Sequence, residues 1–117
     1  MQNKKGELVN LLRAELPLQF QPVQLSGRRC GLVIVDEQNG FATVGAGPLA
    51  PAEPNAQIIR MVAETDRLAR LFERQGLPIA VFLDWHDTDR PEPPYPPHCL
   101  AGTAEADLVP PATIVCI

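Results

Sequence analysis

Two short apolar runs, each ending on an aspartate and separated by one long amphipathic segment, constrain this chain more than any other feature. Gly31-Leu32-Val33-Ile34-Val35 runs into Asp36, and Pro78-Ile79-Ala80-Val81-Phe82-Leu83 runs into Asp84. Neither run alternates apolar with polar residues, which is the pattern of a strand buried on both faces and so of a central parallel strand. Between them, Asn55 to Gln75 places Ile58, Met61, Val62, Thr65, Leu68, Ala69 and Phe72 on one face at helical spacing. Arg60, Glu64, Asp66, Arg67 and Glu73 fall mostly elsewhere, and Gly76 is the expected stop. Strand, helix and strand of these lengths make a βαβ unit with parallel strands and a right-handed crossover. The predicted fold class is therefore α/β, a parallel sheet with flanking helices in one domain. A chain of 117 residues can bury a modest core of that kind.

The rest of the chain is organised around this unit. Lys5 to Leu16 carries a stripe of Leu8, Val9, Leu11, Leu12 and Leu16 and reads as a short helix stopped by Pro17. Ser26-Gly27 is a turn signal. Gln38 to Pro54 reads as a loop, and so does Trp85 to Pro111 apart from a short helical turn over Thr103 to Leu108. Thr113 to Ile117 reads as a third strand. No internal repeat or domain linker is visible.

Composition narrows the function. The net charge is −4 and the only basic pair is Arg28-Arg29, which argues against a nucleic-acid partner. No run of 18 apolar residues is present, so no membrane span is expected. Met1 to Leu12 contains Lys4, Lys5 and Glu7 and lacks the apolar stretch of a signal peptide. The three cysteines, Cys30, Cys99 and Cys116, are odd in number and have no CxxC spacing. Free thiols in a reducing compartment are the expectation, the cytoplasm with the nucleus also open.

The residues that carry chemistry sit where the strands end. In an open parallel sheet, ligands bind at the carboxyl ends of the strands, where Asp36 and Asp84 stand. Asp84-Trp85-His86 sends Asp84 and His86 the same way, because alternate residues of an extended chain share a face. His98 follows twelve residues later, and the chain has no third histidine. One carboxylate and two imidazoles form a three-ligand set with open positions, suited to zinc, iron or manganese at roughly 2.0–2.2 Å. The same residues also fit a plainer reading, with the aspartates capping turns and the histidines as ordinary loop residues. Five of the 13 prolines fall between Pro91 and Pro97; such a tract can be a linker or a polyproline II ligand, but its place between the two histidines favours a rigid loop that delivers His98. Cys99 reads as a small buried filler rather than a nucleophile, since no helix start follows to lower its pKa.

Val33-Ile34-Val35-Asp36-Glu37-Gln38-Asn39-Gly40-Phe41 resembles the opening strand of the isochorismatase-like cysteine hydrolases. Asp84-Trp85-His86, taken with Pro97-His98-Cys99-Leu100-Ala101-Gly102-Thr103, resembles the metal motif of the nicotinamidases. Leu11 to Pro17 and Tyr95 to Cys99 look especially like the plant members. The likeness extends to about Pro111. It implies a Rossmann-like, six-stranded parallel sheet with helices on both faces, and hydrolysis of nicotinamide to nicotinate and ammonia in NAD salvage. By resemblance, Asp36 is the general base, while Asp84, His86 and His98 hold a divalent metal, zinc first, that binds the pyridine nitrogen. Phe41 and Trp85 stand where the family packs aromatic rings near the substrate. The family's catalytic lysine and nucleophilic cysteine lie on later strands, and no lysine follows Arg29 here. The chain thus reads as the N-terminal part of such a domain, an inactive truncated form, with a homo-oligomer conceivable. The alternatives are a non-catalytic half-domain that binds metal or a partner, and another amide hydrolase of the superfamily.

Overall fold

A computed structural model describes residues 4–17 and 21–110. In chain order these form α1 (Lys4–Glu15), β1 (Leu32–Val35), α2 (Asn39–Ala42), α3 (Ala56–Arg74), β2 (Ile79–Phe82) and a 3-10 turn over Ala104–Ala106. The strand expected over Thr113 to Ile117 lies outside the described residues.

β1 and β2 pair in parallel with Leu32 opposite Ile79 and Val35 opposite Phe82, and α3 is the crossover between them. Its ends are set locally. Asn55 Oδ1 accepts the Gln57 and Ile58 N–H groups at 2.9 and 3.2 Å, satisfying two otherwise unpaired donors. At the other end Gly76 has φ +64°, its N–H donates to Glu73, and the Leu77 N–H donates to Phe72. That pair of bonds is a Schellman closure, which needs a left-handed residue and hence favours glycine.

α3 lies on one face of the sheet, where Ile34 and Ala69 are buried. The other face is a correction to the expectation of strands covered on both sides. Val33, Val35 and Phe82 remain 59%, 60% and 60% exposed. A single crossover helix can cover only one side of the sheet it joins, and no second layer is formed by the described residues. Met61 also stays about half exposed, although it lies on the apolar stripe. α1 forms as its spacing predicts, but Leu8, Leu11, Leu12 and Leu16 are likewise about half exposed.

A second small core lies beyond the strand ends, made by Gln38, Gly40, Cys99, Ala106 and Val109. The segment after Asp36 is not all loop as expected. Asn39–Ala42 winds into one helical turn that docks on the 3-10 turn. Asn39 anchors it, receiving no help from sequence periodicity: its N–H donates to the Asp107 carbonyl at 3.0 Å and its Nδ2 to the Ala104 carbonyl at 2.9 Å. Two isolated bridges, Gln38 with Leu108 and His86 with Leu100, tie the long C-terminal loop to the strand ends. Among the described residues no helix is long and apolar enough to cross a membrane.

Candidate metal centre

Asp84 and His86 stand two and four residues beyond the end of β2, and their side chains converge on one point. His98 is brought to them by the Pro91–Pro97 segment and by the bridge in which the His86 N–H donates to the Cys99 carbonyl at 3.1 Å and the Ala101 N–H to the His86 carbonyl at 2.9 Å. The result is a cluster in which one ligand atom from each of Asp84, His86 and His98 lies within 4.8 Å of the others. Asp84 Oδ1 is 2.7 Å from His86 Nε2, and Asp84 Oδ2 is 3.1 Å from His98 Nε2. Four ligands around zinc stand roughly 3.3 Å apart for bonds near 2.0–2.1 Å, so the spacing is close to that of a shared cation.

Hydrogen bonding sets which nitrogen is free. His98 Nδ1 donates to the Pro96 carbonyl at 2.8 Å, which leaves Nε2 as the nitrogen that faces Asp84. Two acceptors at that separation need a proton or a cation between them. His86 Nε2 is buried and makes no hydrogen bond, although Asp84 Oδ1 and Glu92 Oε2 are near it. A buried nitrogen left without a partner costs free energy unless something else satisfies it, and a cation at this point would do so. The donor set of one carboxylate and two imidazoles therefore fits a divalent transition metal.

Beside the cluster is an open hollow of about 400 Å³ lined by Asp36, Phe41, Leu49, Leu83, Asp84, Glu92, Tyr95 and His98. Asp36 is at its rim with φ +54°, a left-handed conformation that aspartate tolerates better than most residues. It is not among the three converging ligands. Phe41 and Tyr95 both meet the His98 ring, with centroids 5.8 and 6.1 Å away. Trp85 is 57% exposed and is not among the residues that line the hollow, consistent with its odd place between Asp84 and His86. Cys99 is fully buried, and its thiol is pushed up to about 11, first by burial and then by the charges of Asp84, Glu105 and Asp36. A thiol so protonated is a poor nucleophile at neutral pH.

Sequence reasoning passed over three residues of this site. Tyr95 and Glu92 were hidden in the proline-rich tract, and both line the hollow. Gln38 is fully buried and bonded to the Asp84 backbone. A polar residue two positions after a strand-end aspartate was its only signal.

No family model matches the chain, and no solved structure matches it. Nicotinamidase 1 of Arabidopsis thaliana is 46% identical over 101 residues, a match that covers 85% of this chain and 41% of that protein. The chain thus spans about two fifths of the length of this curated relative. A match of that length within 117 residues necessarily takes in the stretch from Asp36 to His98. Over the segment that holds Asp84, His86 and His98, the chain is a homologue of a plant nicotinamidase.

Proposed function

We propose that this chain carries the metal-binding part of a nicotinamidase-type amidohydrolase, with Asp84, His86 and His98 as the ligands of one divalent cation, zinc by its donor set and iron or manganese as alternatives. The observation that carries the reading is the convergence of these three side chains, with a buried His86 Nε2 that makes no hydrogen bond although a carboxylate oxygen lies beside it. When bound, the metal would supply a Lewis-acidic anchor for a pyridine nitrogen. The chain's own groups do the rest. Phe41 and Tyr95 wall the hollow with aromatic surface suited to a flat ring. Asp36, at the rim of the same hollow, is the proposed base that would take a proton from a thiol nucleophile.

In this reading these 117 residues do not supply that thiol. No lysine follows Lys5, and Cys99 is buried with its thiolate disfavoured. Residues that act as a unit lose activity together, by as much as 10⁶-fold when the nucleophile is removed. The reading is therefore that residues 1–117 bind metal in one domain of isochorismatase-like type but do not turn over nicotinamide. The test is direct. The purified chain should bind one equivalent of zinc or cobalt, His98→Ala should abolish it, and ammonia release from nicotinamide should be absent. A chain that binds no metal would sink the metal reading. Turnover that disappears in Cys99→Ala would make Cys99 the nucleophile and overturn the rest.

A further inference from the structure

Glu105 lies in the middle of the 3-10 turn, and its carboxylate is directed back at the residue that follows His98. Oε2 accepts the Cys99 N–H at 3.1 Å, and the Glu105 backbone carbonyl accepts the Cys99 thiol at 3.7 Å. Cys99 needs such support. It is fully buried and has φ +43°, a left-handed conformation that is unfavourable for a residue with a Cβ. Its carbonyl is held from the other side by the His86 N–H at 3.1 Å. The peptide unit that joins His98 to Cys99 is thereby fixed at one end by Glu105, and the Cys99 carbonyl is tied to the other histidine of the cluster.

Two glycines make the space for this arrangement. A Cβ at Gly40 would come within 2.8 Å of the Cys99 thiol and 3.2 Å of the Glu105 carbonyl, and a Cβ at Gly47 would overlap the Glu105 carboxylate. Gly47 has no left-handed φ, so this close approach is the structural reason for a small residue there.

We propose that Glu105 is a positioning residue for the metal centre: its carboxylate, seated against Gly47, locks the left-handed Cys99 and so aims the His98 imidazole at the point shared with Asp84 and His86. The proposal rests on the reading of that cluster as a metal site. Partners that orient a metal-ligating histidine typically change affinity 10- to 100-fold. Glu105 acts through the backbone of the neighbouring residue, so the lower end of that range, about tenfold, is expected.

The experiment titrates the 117-residue chain with Co²⁺, following the d–d absorption bands, which report the ligand set. The parent should bind one equivalent, and His98→Ala should not bind. Glu105→Ala should bind about tenfold more weakly with an altered spectrum, whereas Glu105→Gln, which keeps an acceptor oxygen, should stay within about threefold of the parent. Gly47→Ala should displace the carboxylate and reproduce the Glu105→Ala spectrum without touching Glu105. The double variant should be no weaker than Glu105→Ala, because the two substitutions break one contact. A merely structural role would lower thermal stability while leaving the cobalt spectrum and affinity as in the parent, and that result in Glu105→Ala overturns the proposal. So do additive effects in the double variant. If Glu105→Ala does not fold, Gly47→Ala decides by the same spectrum. Absence of binding in the parent overturns this proposal together with the metal reading, whereas binding in the parent with no change in the variants overturns this proposal alone.

Discussion

The side chain of Gln38 closes a two-point clamp on the backbone of Asp84: Nε2 donates to the Asp84 carbonyl at 2.8 Å, and Oε1 accepts the Asp84 N–H at 2.7 Å. The amide thus pairs the backbone two residues beyond the end of β2, as a neighbouring strand would. Its second Nε2 hydrogen goes to the Ala106 carbonyl at 2.8 Å, which joins the strand end that carries Asp84 to the 3-10 turn.

Gln38→Ala would leave those three backbone groups without a partner in a site from which water is largely excluded. At about 1 kcal/mol or more each, the loss should reach about 3 kcal/mol, a large part of a small domain's stability. Gln38→Glu is the sharper test, since it changes little but the donor. A carboxylate oxygen would then face two carbonyl oxygens, and a large drop in the urea midpoint is expected. A Gln38→Glu chain as stable as the parent would show that the clamp contributes nothing.

Asp36 and Asp84 both follow strands, but only Asp84 joins the ligand cluster. Asp36→Asn should therefore leave zinc affinity within about twofold, and asparagine also tolerates the left-handed backbone at this position. Asp84→Asn should lose most of the bound metal. Zinc at a hundred times its dissociation constant should stabilise the parent and Asp36→Asn alike by about 2.7 kcal/mol in thermal melts. Equal loss of metal in both variants would show that Asp36 is a ligand.

Glu37 is buried against α3, one of its carboxylate oxygens has no partner, and its pKa is raised. Burial is the main cause, Asp66 adds to it, and Thr65 pulls the other way. A carboxyl whose folded pKa lies above its unfolded value contributes stability that is complete below the unfolded value and is lost as pH rises through the folded one. Glu37→Gln removes this cost. The variant should melt higher than the parent at pH 7, with the gap closing toward pH 4. A gap that widens on acidification would mean that the ionised carboxylate is the stabilising form.

Cys99 should be chemically silent in the native chain. With its pKa pushed from 9.0 to about 11, the thiolate fraction at pH 8 falls about 100-fold before burial is considered. Iodoacetamide with peptide mapping should modify the partly exposed Cys30 readily and Cys99 only after addition of urea. Comparable labelling of both in the native state would show that the pocket around Cys99 opens easily.

What the sequence determined by itself is local. The 3.6-residue stripe, Asn55 and Gly76 define α3 and its two ends, because capping bonds and helical periodicity involve residues only a few positions apart. The same holds for Asp84 and His86, whose common direction follows from the pleat of an extended chain. Burial was less legible. Val33, Val35 and Met61 have core-like side chains, yet whether such a residue is covered depends on a second layer that no short window of sequence describes. Tertiary structure alone decided the rest of the centre. His98 reaches Asp84 through a bridge to His86, Gln38 fits the Asp84 backbone from 46 residues away, and Glu105 meets Cys99 in a slot left by Gly47. Each of these contacts depends on chain segments far apart in sequence meeting within hydrogen-bonding distance. Composition and spacing set which groups are available, and only packing sets which of them meet.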